Sequence, residues 1–222
     1  MSDAGLIMGA AAVLGMATAV AVLLRTVGVP ATYVRDLMHI GAGLWVLTWP
    51  WWHGAAAPIA ITAVVAVGTA LVPLAARRIP AARRLHGSVT GGDERWGGLV
   101  LYTLSYAALT ATGFTGAPLP AAAALLALSL GDGVGGAVGR HFGRRSFRAP
   151  GGKRKTVEGT ITVGLMATAG ALIAGAVLGA PMTHGLALVA GLVAAVVEAA
   201  SPRGTDNATV PAAVWLTLEV LS

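Results

Sequence analysis

Long apolar runs separated by short polar breaks make up most of this 222-residue chain. A helix needs about 20 mostly apolar residues to cross the hydrocarbon core of a bilayer, and seven runs approach that length before a shorter one near the end. The pattern predicts an all-α fold: a polytopic integral membrane helix bundle with seven transmembrane helices and a shorter C-terminal apolar helix, all in one domain over residues 1–222. The predicted spans are 6–24, 37–52, 57–76, 97–114, 119–138, 159–178 and 184–200, and the shorter helix is 210–221.

Composition supports a membrane protein. Hydrophobic residues make up 56% of the chain and charged residues 11%, whereas a soluble domain has about 25% charged residues. The absence of cysteine excludes disulfides, thiol catalysis and a cysteine-ligated metal site. Glycines four residues apart, at Gly131, Gly135, Gly139 and Gly143, predict close packing between helices.

The 15 lysines and arginines all fall in every second loop between the predicted spans, and the loops in between carry none. Basic loops of membrane proteins stay in the cytoplasm. We therefore expect a protein of a prokaryotic cytoplasmic membrane, with its N-terminus outside the cell and its basic loops on the cytoplasmic side. Their charge is spread over several short loops without a recognisable binding module, so no nucleic-acid partner is expected. Trp49, Trp51 and Trp52 are predicted to form an aromatic belt at the outer interface.

Most of the acidic residues also lie at the cytoplasmic ends of the spans. Acids at membrane depth usually face a cavity, a partner or a metal, and acids beside a basic loop suit a complex of Mg²⁺ with phosphate. Asp132 is therefore either a metal ligand or catalytic base, or the ion-pair partner of Arg140 or of a basic residue in the loop. The acids concerned are Asp36, Asp132, Glu158, Glu198 and Asp206.

The loop at 140–155 carries the densest positive charge. Lys153, Arg154 and Lys155 can neutralise phosphate, and the helix predicted to begin near Gly159 offers amides that favour anions; contact with lipid headgroups is the alternative. If these cations bind nucleotide phosphate, replacing Lys155 by alanine is expected to weaken nucleotide binding or transition-state stabilisation without disturbing the fold.

Arg35 and His39 share one helix face, four residues apart. They suit phosphate contact, acid–base work or a structural role.

Four segments, in order along the chain, resemble the polyprenol kinase family, which includes dolichol kinase and phytol kinase. That family is distantly similar to CTP-dependent diacylglycerol kinases and phosphatidate cytidylyltransferases. The segments are Arg35-Asp-Leu-Met-His39; Gly131-Asp-Gly133 through Gly139-Arg-His-Phe-Gly143; Lys155-Thr-Val-Glu-Gly-Thr160; and Val197-Glu-Ala-Ala-Ser-Pro202 with Asp206-Asn-Ala-Thr-Val-Pro211. Three positions depart from the family pattern: Asp36 replaces a lysine, and Gly136 and Thr205 replace aspartates.

The resemblance implies an enzyme that transfers the γ-phosphate of a nucleotide, commonly CTP, with Mg²⁺, to an isoprenoid alcohol such as phytol, geranylgeraniol or a polyprenol. A CTP-dependent cytidylyltransferase, a diacylglycerol kinase and a small lipid transporter are the alternatives. The residues and the resemblance together assign catalysis to Asp132, Lys155, Glu158 and His39; nucleotide binding to Arg35, Arg140, Lys153, Arg154, Lys155 and Thr156; and the metal to Asp132, Glu158, Glu198, Asp206 and Asn207.

Overall fold

The computed structural model of the chain describes residues 2–89, 96–202 and 204–221, and in these residues the fold is a helix bundle. Arg95 and Arg203, two of the loop cations, lie outside this part of the chain. A short antiparallel hairpin joins two of the helices, and brief 3₁₀ turns occur at Trp49–Trp51 and Pro150–Gly152. The elements are α1 (Asp3–Thr26), α2 (Ala31–Ala42), α3 (Leu44–Leu47), α4 (Ala56–Ala75), α5 (Pro80–Val89), α6 (Trp96–Thr115), α7 (Pro118–Phe142), β1 (Ser146–Arg148), β2 (Arg154–Thr156), α8 (Val157–Leu178), α9 (His184–Ala200) and α10 (Asp206–Leu221).

The helical prediction is confirmed, but the count of seven spans is not. In the described part of the chain, four helices, α1, α4, α7 and α8, are long and apolar enough to cross a membrane, and α9 is a shorter apolar helix. The predicted span 37–52 is divided among α2, α3 and the turn at Trp49–Trp51. Helix α6 is long enough, but its threonines, tyrosines and glycines lower its mean hydropathy.

Side-chain caps begin several of the helices. The hydroxyls of Ser2, Thr156 and Thr183 each accept a hydrogen bond from the backbone N–H three residues further on. This arrangement satisfies one of the donors that a helix N-terminus leaves unpaired. The start of α8 is therefore set at Thr156, directly after β2.

Helix α7 lies at the centre of the bundle and contacts α2, α6, α8 and α10. Its residues 121–129 are all buried, as expected for a helix that is apolar on every side. Asp132 follows this segment by less than one turn, so the central helix carries a carboxylate from the core toward the basic loop.

Glycines allow α7 and α8 to approach closely, which confirms the prediction from their spacing. A Cβ atom on Gly131 would lie 3.3 Å from Cγ1 of Val163, and one on Gly135 would lie 3.2 Å from the carbonyl oxygen of Gly159. The two helix backbones therefore meet beside Asp132.

The aromatic belt prediction is wrong for two of its three tryptophans. Trp49 is 5% exposed and its ring packs against Phe114 with centroids 5.0 Å apart, while Trp52 is also buried. Trp51, by contrast, is exposed. The break in the helix at this point turns Trp49 inward against α6.

Candidate active site

A small pocket lies where α7, α8, α9 and α10 meet. Its polar side is built from three separate helices: Asp132 comes from α7, Glu198 from α9, and Asp206 and Asn207 from the first turn of α10. Its other side is apolar. The lining residues are Ala127, Leu128, Asp132, Val163, Glu198, Asp206, Asn207 and Val210.

The hairpin between α7 and α8 inserts Lys155 beside this pocket. Its turn contains Gly151 and Gly152, whose φ angles of 77° and 81° are strained for residues with a side chain. Successive side chains of a strand point to opposite faces, so Lys155 is buried while its neighbour Arg154 is exposed. The hairpin thereby separates two cations that are adjacent in the sequence.

Lys155 forms ion pairs with two acids from different helices. Its Nζ atom lies 2.7 Å from Oε1 of Glu198 and 3.4 Å from Oδ2 of Asp206, and it also donates to the backbone carbonyl of Glu198. The Lys155 side chain is only 4% exposed. A buried ammonium group therefore holds the ends of α9 and α10 together.

Two further contacts orient the same acids. Nζ of Lys153 lies 3.3 Å from Oδ2 of Asp206, and the hydroxyl of Thr160 donates to Oε2 of Glu198 over 2.9 Å. Lys153 and Lys155 thus form one network with two of the predicted metal-binding acids, Glu198 and Asp206.

The amide of Asn207 is fixed with its oxygen unpaired. Its Nδ2 donates to the carbonyl of Gly98 over 2.9 Å, and Ser105 donates to its backbone carbonyl over 2.8 Å. Oδ1 of Asn207 is buried and has no hydrogen-bond partner among the residues that the structure describes. A buried oxygen without a donor is unfavourable, so this atom is suited to a ligand.

Asp132 faces His39 across the α2–α7 contact. Oδ2 of Asp132 lies 3.4 Å from Nδ1 of His39, and the ring of Tyr102 covers the imidazole with centroids 4.1 Å apart. His39 is 2% exposed, whereas the Asp132 side chain is 31% exposed. Asp132 is therefore the member of this pair that a substrate can reach.

Arg140 pairs with Asp36, which differs from the Asp132–Arg140 ion pair considered as an alternative from the sequence. Arg35 also approaches Asp36, with 3.8 Å between Nη2 and Oδ1. Both arginines belong to the α2–α7 side of the site.

Other predicted site residues lie away from the pocket lining. The carboxylate of Glu158 accepts from the backbone N–H of Arg145 at 3.3 Å, and Arg154 donates to the hydroxyl of Ser146 over 2.7 Å. Thr156 caps α8. Among the predicted metal ligands, the structure brings Asp132, Glu198, Asp206 and Asn207 to one pocket, and it places Glu158 elsewhere.

Within the described residues, no three His, Asp or Glu side chains are close enough together to hold a metal ion. The donor set nevertheless fits Mg²⁺, which is commonly bound by one or two carboxylates together with substrate phosphates and water. The unpaired Asn207 oxygen beside two carboxylates is such a set. The magnesium site stays a prediction.

Sequence reasoning did not assign a role to Thr160, Gly98 or Ser105. Thr160 ends one of the four family-like segments, so its position carried a signal. Gly98 and Ser105 lie on α6, more than 100 residues before Asn207, and only the packing of α6 against α10 brings them together.

The structure combines apolar helices of membrane-spanning length with a charged pocket, which is a candidate catalytic site. No protein-family model matches the chain, and no solved structure matches it. A phytol kinase of Synechocystis sp. is 34% identical to it over 216 residues, which cover 91% of this chain and 85% of the relative. The chain belongs to the polyprenol kinase family that includes phytol kinase.

Proposed function

We propose that this protein is a membrane-embedded kinase that transfers the γ-phosphate of CTP to the hydroxyl of an isoprenoid alcohol, with phytol and geranylgeraniol as representative acceptors. The observation that carries the proposal is the pocket itself. It combines Asp132, Glu198 and Asp206 with a buried lysine and an apolar wall, in a chain similar to a phytol kinase.

The nucleotide phosphates would be bound by the cations of the hairpin, of α2 and of α7. Phosphoryl transfer depends mainly on positioning and on neutralising phosphate charge. Lys153 and Lys155 neutralise carboxylates of the pocket; when a triphosphate binds, they can turn to its oxygens. Arg35 and Arg140 add positive charge from the α2–α7 side.

If Lys153 and Lys155 turned from the carboxylates to the phosphates, the carboxylates would be free to hold magnesium. Glu198, Asp206 and the unpaired amide oxygen of Asn207 are the residues that would hold it. When bound, Mg²⁺ neutralises charge on the phosphate oxygens. The charge of the site would stay balanced, because the two lysines would neutralise phosphate oxygens while the ion would neutralise the carboxylates.

The chemical step needs one group to accept a proton. The alcohol oxygen forms a bond to the γ-phosphorus, the bond from that phosphorus to the bridging oxygen breaks, and the nucleoside diphosphate leaves. We assign the hydroxyl proton to the Asp132 carboxylate, because Asp132 lines the pocket and is partly exposed. His39 lies behind it and orients the carboxylate.

The apolar wall suits the carbon chain next to the hydroxyl. Ala127, Leu128, Val163 and Val210 belong to α7, α8 and α10, which face the interior of the bundle. The alcohol would enter from the bilayer with its chain along this wall, and the nucleotide would approach from the cytoplasmic face.

Position-specific labelling of CTP tests this proposal against the alternatives. Purified protein is incubated with Mg²⁺ and phytol, geranylgeraniol or diacylglycerol, using CTP labelled at either the α- or the γ-phosphorus. We expect only the γ label to enter the prenol, with release of CDP. Entry of the α label with release of pyrophosphate would instead indicate a cytidylyltransferase, and transfer only to diacylglycerol would contradict the prenol acceptor.

Labelling of single cysteines tests the proposed orientation. The natural chain has no cysteine, so each introduced thiol reports one position. We expect Ser146→Cys, on the basic hairpin, to react with an impermeant reagent only from the cytoplasm, and Gly116→Cys only from outside. Reaction of the hairpin cysteine from outside would place the phosphate-binding residues out of reach of cytoplasmic nucleotide.

A further inference from the structure

Asp36 is a buried acid that the proposed phosphoryl transfer does not use. It is 4% exposed and lies on the face of α2 that packs against α7. Its carboxylate forms an ion pair with Arg140 of α7 and lies 3.8 Å from the guanidinium of Arg35. A charge this buried is stable only when paired, so the two arginines explain how the carboxylate is accommodated.

The same contacts determine where the two arginines can be. The Arg140 guanidinium lies over the ring of Tyr33, 5.4 Å from its centroid, and its side chain remains 31% exposed. The Arg35 side chain is 25% exposed. Two guanidinium groups repel each other, and the carboxylate between them reduces that repulsion. The two guanidinium groups can therefore lie near the same carboxylate while part of each arginine side chain stays accessible to a ligand.

Gly136 leaves the room that this arrangement needs. A Cβ atom on Gly136 would lie 3.2 Å from Nη1 of Arg140 and 3.6 Å from Oδ1 of Asp36. Residue 136 therefore faces the ion pair directly. A carboxylate carried by residue 136 would be within reach of the same guanidinium.

We infer that Asp36 is a positioning residue that holds Arg140 and Arg35 together as a two-arginine site for the phosphates of the nucleotide donor. This inference rests on the proposed kinase function. Asp36 itself does not touch the nucleotide. Its carboxylate orients the guanidinium groups, and they provide the contacts.

Steady-state kinetics of Asp36→Asn and Asp36→Ala test the inference. A positioning role predicts that KM for CTP rises about tenfold or more, while KM for the prenol changes little, because only donor binding is impaired. The double variant Asp36→Ala/Gly136→Asp moves the carboxylate from α2 to α7 and is expected to restore much of the lost affinity. Asp3→Asn is the matched control, since Asp3 pairs with His53 through a 2.9 Å contact outside the site.

The outcomes separate this inference from the kinase proposal. An active wild type whose Asp36 variants keep a normal KM for CTP would overturn the positioning role alone. Loss of folded protein in both Asp36 variants would make the ion pair structural and also overturn it. If the wild type transfers no phosphate, the kinase proposal fails, but equilibrium binding of labelled CTP still tests the role of Asp36. Weaker CTP binding by Asp36→Asn than by the wild type supports the inference. Equal binding by the two proteins, or no binding by either, overturns it.

Discussion

Asp132→Asn is expected to lower the rate of transfer to a prenol by about 100-fold or more, the low end of the effect of removing a general base. Asparagine is nearly the same size and retains hydrogen-bonding atoms, so the packing of α7 should persist. What the substitution removes is the negative charge that faces the pocket and His39. Initial rates at saturating CTP and prenol measure the effect.

Thermal unfolding in detergent provides the control for this variant. Asp132 does not pair with Arg140 in the structure, because Arg140 pairs with Asp36. The Asn variant should therefore leave the Arg140–Asp36 ion pair intact and keep a melting temperature close to that of the wild type. A protein that is destabilised but fully active per folded molecule would contradict the catalytic role of Asp132.

Lys155→Ala is expected to impair both stability and activity. The sequence alone places Lys155 in a basic loop and predicts that its loss spares the fold. The structure changes that expectation, because the side chain is 4% exposed and lies between Glu198 and Asp206. Removing one partner from a buried ion pair costs about 3–5 kcal/mol of unfolding free energy. Lys153 still pairs with Asp206, so Glu198 is the acid that loses its ion-pair partner. We therefore expect a loss of unfolding free energy at the low end of that range.

Two comparisons separate the roles of this lysine. Lys155→Arg keeps the charge and should recover most of the stability. Arg84→Ala, which removes an exposed cation from α5, should change neither stability nor transfer rate. A Lys155→Ala protein with wild-type melting temperature and wild-type kinetics would assign the hairpin to contact with lipid headgroups.

The helical class and most helix positions could be predicted because they depend on local composition. Apolar runs of membrane length appear directly in the sequence, and α4, α8 and α9 begin or end within two residues of the predicted spans. The division of 37–52 into shorter pieces was not predicted, because hydropathy does not report how a helix break at Trp49–Trp51 packs against α6.

The polar residues that line the pocket could be predicted from the sequence, whereas the chemistry of the site stays a proposal. Acids near helix ends beside a basic loop indicated a metal and phosphate site, and the resemblance selected Asp132, Glu198, Asp206 and Asn207, which the structure places in one pocket. Glu158 belonged to the same prediction on the same grounds. It lies apart because its carboxylate accepts from the backbone of Arg145.

The sequence by itself determined that this chain is helical, with apolar helices of membrane-spanning length, and which charged residue types lie near the helix ends, because apolar length and charge content are properties of the chain alone. Only the tertiary structure decided which charges meet. Strand alternation in the hairpin buries Lys155 and leaves Arg154 exposed, and the packing of α2 on α7 pairs Arg140 with Asp36. These pairings join residues up to about 100 positions apart, so they depend on helix packing, which local sequence patterns do not encode.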